Sequence, residues 1–483
     1  MKKKLRIFFT LLVLLLSSCT KDWLDINDDP NTATEVSPKL LINSAMLDYN
    51  SNLVDAGINM MLWSQHWAAG SNNDPTFSNK EIYRESGFTT DNTWRTYYVY
   101  ALKNLKVADE IAASENNSNA QAVCKILSAL LFYHLTIMWE DVPYSQALQH
   151  NEYPSPAADK QEDILNGVLD VLENALNIMD TDPNSTKHIS SLFYLNKDLE
   201  RDDMVKWEKL ANSLKLRTLM ILSTREPEKY SSKISALITN NSPLLSSNED
   251  NFLFPYYDET GNKNPFYRIW ESYADGAFFF PSHSLVELLK TDDDPRMKIW
   301  FEEGDGASEG EYKGVVPGEP LSNVSSRISH QVITPSTPTQ LATYSETALF
   351  LAEAYAKGFI GGAVDMINAD FYYKEGIKAS MEFYKVPAEE ISLYISNLAA
   401  LESLDAKVAL ENIHKQQFKD CFFKPHEGWV QVRRTEVPAL KLPRGAVRPG
   451  IIKRWYPPSA ELLSNDNITF DKNLEQKMWI DKQ

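Results

Sequence analysis

Apolar residues recur at spacings of three and four along almost the whole chain, and this pattern restricts the fold to packed helices. In residues 162–179, Ile164, Val168, Leu172, Ala175, Leu176 and Met179 share one helix face. Residues 204–222 repeat the pattern with Trp207, Leu210, Ala211, Leu214, Ile221 and Leu222. Residues 344–357 do so with Ala348, Leu351, Ala352 and Tyr355. Thr343 and Glu346 have capping-box spacing before that run, and Gly358 stands where a helix would stop. Asp294-Pro295 predicts a further helix start, an N-cap followed by proline. Strand-like alternation is scarce. The expected fold class is therefore mostly α, with amphipathic helices stacked as hairpins. No clean sequence period is present, so any repeat is degenerate.

Two regions break the helical rhythm. Residues 70–85 are polar and rich in Asn and Ser, and residues 240–343 form a longer stretch. Within it Gly, Pro and Ser recur at 304–318 and 332–339. Long excursions on a compact scaffold are usually functional or disordered. This one holds Trp270, Tyr273 and the run Phe278–Phe280, which predicts a packed, ligand-facing excursion.

The N-terminus carries a targeting signal. Lys2, Lys3, Lys4 and Arg6 precede the apolar run Ile7–Leu16, which ends in Leu16-Ser17-Ser18-Cys19. A basic start, a short apolar stretch and small residues at its end make a secretory signal. The run is about half the roughly 20 apolar residues that a membrane span needs. Leu-Ser-Ser-Cys matches the bacterial lipobox, so residues 1–18 are expected to be removed and Cys19 acylated. The length of residues 19–483 allows several core-bearing units or one large solenoid, and a single domain is expected. Residues 1–18 carry four positive and no negative charges, so the mature chain stands at −22 where the full chain is at −18. Such acidity argues against nucleic acid and anionic membrane faces as partners. It fits a solvated protein held at a membrane by lipid.

Enzyme chemistry finds little support. Beyond Cys19 only Cys124 and Cys421 occur, too few for a disulfide framework or zinc site, although a bond between the two is chemically open. Cys124 falls in an apolar helical run, which predicts a buried thiol. There is no serine nucleophile elbow, HExxH, P-loop or dinucleotide fingerprint, and the eight His have no metal spacing. Glu302, Glu303, Asp305, Glu309 and Glu311 could serve a glycosidase, which needs two carboxylates, but such an acidic stretch reads first as solvation. No cofactor is expected. Carboxylate and carbonyl oxygens leave a structural calcium open, without an EF-hand pattern.

An ordered set of motifs resembles the SusD/RagB family of outer-membrane lipoproteins, near its SusD-like branch. After the lipobox come Asp22-Trp23-Leu24-Asp25-Ile26-Asn27 and Pro30-Asn31. Trp139-Glu140-Asp141-Val142-Pro143-Tyr144 is similar to the family's Gly-Asp-Val-Pro-Tyr turn, with Glu140 where glycine is commoner. Lys206-Trp207 and Ala211–Arg217 resemble its most recognisable helix, followed by Asp294-Pro295-Arg296 and Ala352-Glu353-Ala354. Glu427, Trp429, Arg433, Arg434, Arg454, Tyr456, Pro457, Glu461 and Asn465 resemble its C-terminal signature. The resemblance implies about four degenerate tetratricopeptide-like helix pairs supporting a loop-rich ligand face. It also implies a role as a surface lid on a SusC-type TonB-dependent barrel, capturing an oligosaccharide, or in some members a peptide, for import.

The shared motif residues read as structural. Arg217, Arg433, Arg434 and Arg454 suit helix-end carbonyls or buried carboxylates such as Glu353 and Glu427. The ligand site has to be sought in chemistry. Sugars present apolar C–H faces edged by hydroxyls, which favours exposed aromatics beside Asn, Asp, Gln or His. Trp63, His66 and Trp67 followed by Asn72 and Asn73 have that composition, as do Trp270 and Tyr273 with Asp275. Core packing is the alternative for Trp63, which lies at helical spacing after Met60. The reading is a lipid-anchored, surface-exposed binding protein without catalysis. A peptide-binding lid and a surface glycoside hydrolase are the alternatives.

Overall fold

A computed structural model describes residues 36–84, 87–272, 279–471 and 473–482. The signal segment, Cys19, the Asp22–Asn31 motifs and Tyr273 lie outside the described residues.

Helices dominate, as the periodicity requires. The Pro38–Trp63 helix starts with proline in its first turn and has most of its C-terminal half buried. It packs against Lys103–Ser114, which packs on Ser118–Trp139. Ser118–Trp139 is long and apolar enough to cross a membrane, but it is buried among its neighbours as a core helix. Gln161–Ile178 lies against it, then Met204–Arg225 and Pro227–Thr239 in succession. Tyr344–Ala356 contacts Met204–Arg225 and pairs with Met366–Phe383, and Ala406–Asp420 and Pro425–Thr435 complete the stack. Each helix thus buries its apolar stripe on the next, and a contiguous core runs from Ile42 to Ile480.

The end signals are largely realised. Thr343 Oγ1 accepts from the Glu346 amide at 3.3 Å, while the Glu346 carboxylate turns to Arg217, so the capping box is half made. Gly358 has φ +70°, and the Phe359 amide donates back to the Ala354 carbonyl, the bond that closes a helix in a left-handed turn. Asp294 caps only a turn that leads into the four-residue helix Met297–Trp300, because its carboxylate is drawn to Arg296 and Lys419.

The excursion at 240–343 is more structured than its composition suggests. It contains the helices Pro265–Ser272 and His283–Thr291 and contributes to three two-stranded antiparallel ribbons. Phe252–Phe254 pairs with Thr339–Ala342, and Phe301–Glu302 with Arg327–Ile328. Trp67–Ala68 pairs with Phe280–Pro281, which ties the excursion to the end of the first helix.

The motif residues are structural. Arg434 grips Glu353 with both terminal nitrogens, at 2.9 and 2.7 Å. Arg217 holds Glu346 through Nε and one terminal nitrogen, at 2.8 and 2.6 Å. Arg433 donates to the carbonyls of Ile137 at 2.8 Å and Lys453 at 2.6 Å. Glu140 sits at φ +72°, a backbone that favours glycine. Its carboxylate takes Arg454 at 2.7 Å and the Trp479 amide at 2.7 Å, so the strained residue anchors the C-terminal segment. Cys124 and Cys421 are both buried and free, so the disulfide left open by their number is not formed.

Candidate functional site

The first aromatic cluster proves to be core. Trp63, His66 and Trp67 are at most 1% exposed. The Trp63 indole donates to the Lys80 carbonyl at 3.0 Å and packs against Trp429 and Trp455. His66 donates from Nε2 to the Phe418 carbonyl at 2.8 Å, with Ser64 Oγ 2.7 Å from Nδ1. Burial pushes its pKa down to about 4, against the opposing Phe418 bond. Trp67 is enclosed by Phe266, Phe279 and Phe423. The short ribbon with Phe280–Pro281 draws Trp67 inward, and no ring face remains open to a sugar. These three residues are therefore packed in the core and present no surface to a ligand.

Asn72 and Asn73 lie at the surface edge of the same turn, but each is committed to the backbone. Asn72 accepts from the Leu321 amide at 2.6 Å and donates to its carbonyl at 3.2 Å. Asn73 donates to the Ala69 carbonyl at 3.0 Å. Beneath them Glu81, buried and absent from the sequence reading, accepts from the amides of Ala69 at 3.0 Å and Gly318 at 2.9 Å. Burial raises its pKa although those amides oppose the shift. At Gly318, φ +80°, an added Cβ would come within 2.1 Å of the Arg444 carbonyl oxygen, so only glycine fits. The two distant loops are stapled into one surface.

Trp270 is 8% exposed, with the His330 ring centred 3.9 Å away. His330 is itself held by Glu302, at 2.7 Å from Nδ1. The Trp270 ring is therefore largely buried, and its indole N–H has no hydrogen-bond partner among the described residues. It stands on the Pro265–Ser272 helix, which Asn264 caps by accepting from the amides of Phe266 and Tyr267. Asn264 also binds the Thr337 carbonyl at 2.7 Å, so this helix is fixed to the ribbon beside it.

The same helix walls an open groove of about 680 Å³. Its opposite side is the exposed stripe of the first helix, with Leu47, Ser51 and Val54, and Leu192 closes one end. Tyr257 projects here at 53% exposure, the kind of aromatic that the chemistry of sugar binding calls for. A tight turn sets it: the Tyr257 amide donates to the Asn262 carbonyl at 2.9 Å, with Gly261 at φ +91°. Tyr256 next to it is buried and bonds Thr339 Oγ1 at 3.1 Å, so one tyrosine of the pair anchors while the other faces solvent. Asn262, Lys263, Arg268 and Ser272 supply polar groups. An apolar trough with one open aromatic and a few polar groups is suited to ligand capture. Sequence reasoning missed this groove; its only trace was Tyr256-Tyr257 before a polar turn.

A second depression, about 700 Å³, lies among Glu140, Asp141, Lys160, Arg454, Asp471 and Trp479. Its charges are committed to one another: Lys160 to Asp141 at 2.6 Å and Arg454 to Glu140. That makes it the weaker candidate. Among the described residues no group of three or more His, Cys, Asp or Glu side chains is placed to hold a metal ion.

Residues 30–456 match the family profile SusD-like_2, described as starch-binding and associating with the outer membrane. Among solved structures, one described as a chitin-binding protein superposes with a TM-score of 0.76 at 26% identity, covering 92% of this chain and all of its own. A SusD homologue from Bacteroides fragilis gives 0.72 at 26% identity, over 93% and 100% of the two chains. A chitin-binding SusD homologue from Flavobacterium johnsoniae gives 0.75 at 18% identity, over 90% and 98%, a likeness of fold. No curated protein matches.

Proposed function

The chain belongs to the SusD-like family of outer-membrane-associated proteins, and from that premise we propose that it captures an oligosaccharide at the cell surface and passes it to a SusC-type TonB-dependent barrel. The observation that carries this reading is the groove with the open Tyr257 ring, rigidly set by its turn and bordered by hydrogen-bonding side chains. The chitin-binding description of a neighbour at 26% identity supports a glycan as the ligand. The protein acts as a binder, without turnover. Cys19 would carry the acyl anchor, and the segment after it would serve as the leash.

In this mechanism a sugar face stacks on Tyr257 while Asn262 and Ser272 bond its hydroxyls. An open groove gives shallow, weak capture, and closure of the lid on its barrel adds contacts from the partner. Calorimetry of the mature protein against panels of oligosaccharides and peptides tests the proposal, with Tyr257→Ala and Trp270→Ala repeated on any hit. An oligosaccharide hit weakened about tenfold by Tyr257→Ala is expected, the loss of one stacking contact of about 1.4 kcal/mol. A peptide hit would change the ligand class. No binding, either alone or with the barrel, would sink the reading.

A further inference from the structure

The groove contains one cation with no side-chain partner among the described residues. Arg268 is exposed on the Pro265–Ser272 helix, and its guanidinium has no ion pair or hydrogen bond among the described residues. The groove's other base is already committed. Lys263 Nζ lies 3.0 Å from Glu271 and 3.7 Å from Asp258, over the Tyr267 ring at 5.4 Å. The contrast matters because the chain as a whole is strongly acidic, at −18. Buried guanidinium groups are gripped by carboxylates or carbonyls, as at Arg217, Arg296, Arg433 and Arg434. The exposed Arg84 and Arg225, like Arg268, have no side-chain partner among the described residues, but of these three only Arg268 lines the groove. An unpaired guanidinium at the wall of an apolar groove has its fork free for a planar carboxylate.

We propose that the groove selects an acidic oligosaccharide, with Tyr257 stacking on a sugar face and Arg268 pairing with the carboxylate of a uronic acid unit. This rests on the groove being the capture site. Arg268 is exposed, so solvent screens the pair and its worth lies in the two-pronged geometry of guanidinium on carboxylate. A neutral sugar offers Arg268 only hydroxyl acceptors, which make weaker bonds than a charged carboxylate. The net negative charge of the protein repels an anionic chain at long range, so discrimination depends on this local contact, while added salt relieves the repulsion as it screens the pair.

The test compares a galacturonic acid tetramer, a neutral N-acetylglucosamine tetramer and peptides with free C-termini by calorimetry, using the mature protein. Variants are Arg268→Ala, Arg268→Lys and Tyr257→Ala. Both sites are exposed, and unchanged melting temperatures will confirm folding. The expected result is tighter binding of the galacturonate, weakened about tenfold by Arg268→Ala and partly kept by Arg268→Lys. Equal or tighter binding of the neutral tetramer, or indifference of galacturonate binding to Arg268→Ala, overturns the acidic selectivity. Capture still stands in that case if Tyr257→Ala weakens the neutral ligand. Preference for the peptides overturns the sugar class. Binding of none of the probes, by the protein alone or with its barrel, overturns both the selectivity and the capture reading.

Discussion

The Arg434–Glu353 pair is where a single atom change should be most costly. Glu353 is fully buried on the Tyr344–Ala356 helix. It receives both Arg434 terminal nitrogens, Gln417 Nε2 at 2.9 Å and Lys357 Nζ at 2.6 Å. Three helices therefore meet on one carboxylate. Burial alone would raise its pKa, but Arg434, Lys357 and His414 together hold it well below the usual range. Glu353→Gln keeps the shape and removes the charge, leaving Arg434 buried beside a neutral amide. Breaking a buried pair on one side costs about 3–5 kcal/mol. For a domain of about 450 residues the unfolding entropy is about 0.9 kcal/mol/K, so the melting temperature should fall by roughly 3–5 °C. Differential scanning fluorimetry at neutral pH measures this. The sign with pH follows from the depressed pKa. The stabilisation is complete above the unfolded value of about 4.3 and is lost as pH falls toward the folded value, so the gap between wild type and variant narrows in acid. The double change Glu353→Met with Arg434→Met should recover part of the loss, since no fully buried charge is then left unpaired and Lys357, partly exposed, can turn to water. A Glu353→Gln protein melting within 1 °C of wild type, or a gap that widens in acid, would refute the reasoning.

Trp67→Ala should act on folding. Removing an indole enclosed by Phe266, Phe279 and Phe423 costs about 3–5 kcal/mol, read as a lower melting temperature; lost binding with unchanged melting would restore Trp67 as a ligand contact. His134 and His426 stack with ring centres 3.9 Å apart, and burial, then Arg217 and for His426 first His134, hold both well below 6.5. The unfolded chain takes up protons there near pH 6.5 and the folded one does not. Stability should therefore fall as pH drops below 6.5, by about 1.4 kcal/mol per pH unit per histidine. His426→Gln should flatten that slope between pH 6.5 and 5, and parallel melting profiles would contradict it.

Much of the fold was legible in the sequence because helix periodicity is a local property. The run Ile164–Met179, the stop at Gly358 and the Thr343 cap depend on neighbours within a few residues, and each appears where the pattern put it. The ordered motifs also exposed the family, since Arg217, Glu353, Arg433 and Arg434 are the buried charges that join its helices. The site was less legible. Trp67 beside Asn72 and Asn73 has the composition of a sugar platform, yet pairing with Phe280–Pro281, more than 200 residues away, folds its ring into the core. Tyr257 has an unremarked place in a polar turn, and becomes the open ring only because Tyr256 is tied to Thr339. Sequence spacing determines which side chains share a helix face and which charges the chain must neutralise. Only tertiary structure decides which aromatic is covered and which guanidinium is left without a partner, because both depend on long-range contacts that leave no period in the sequence.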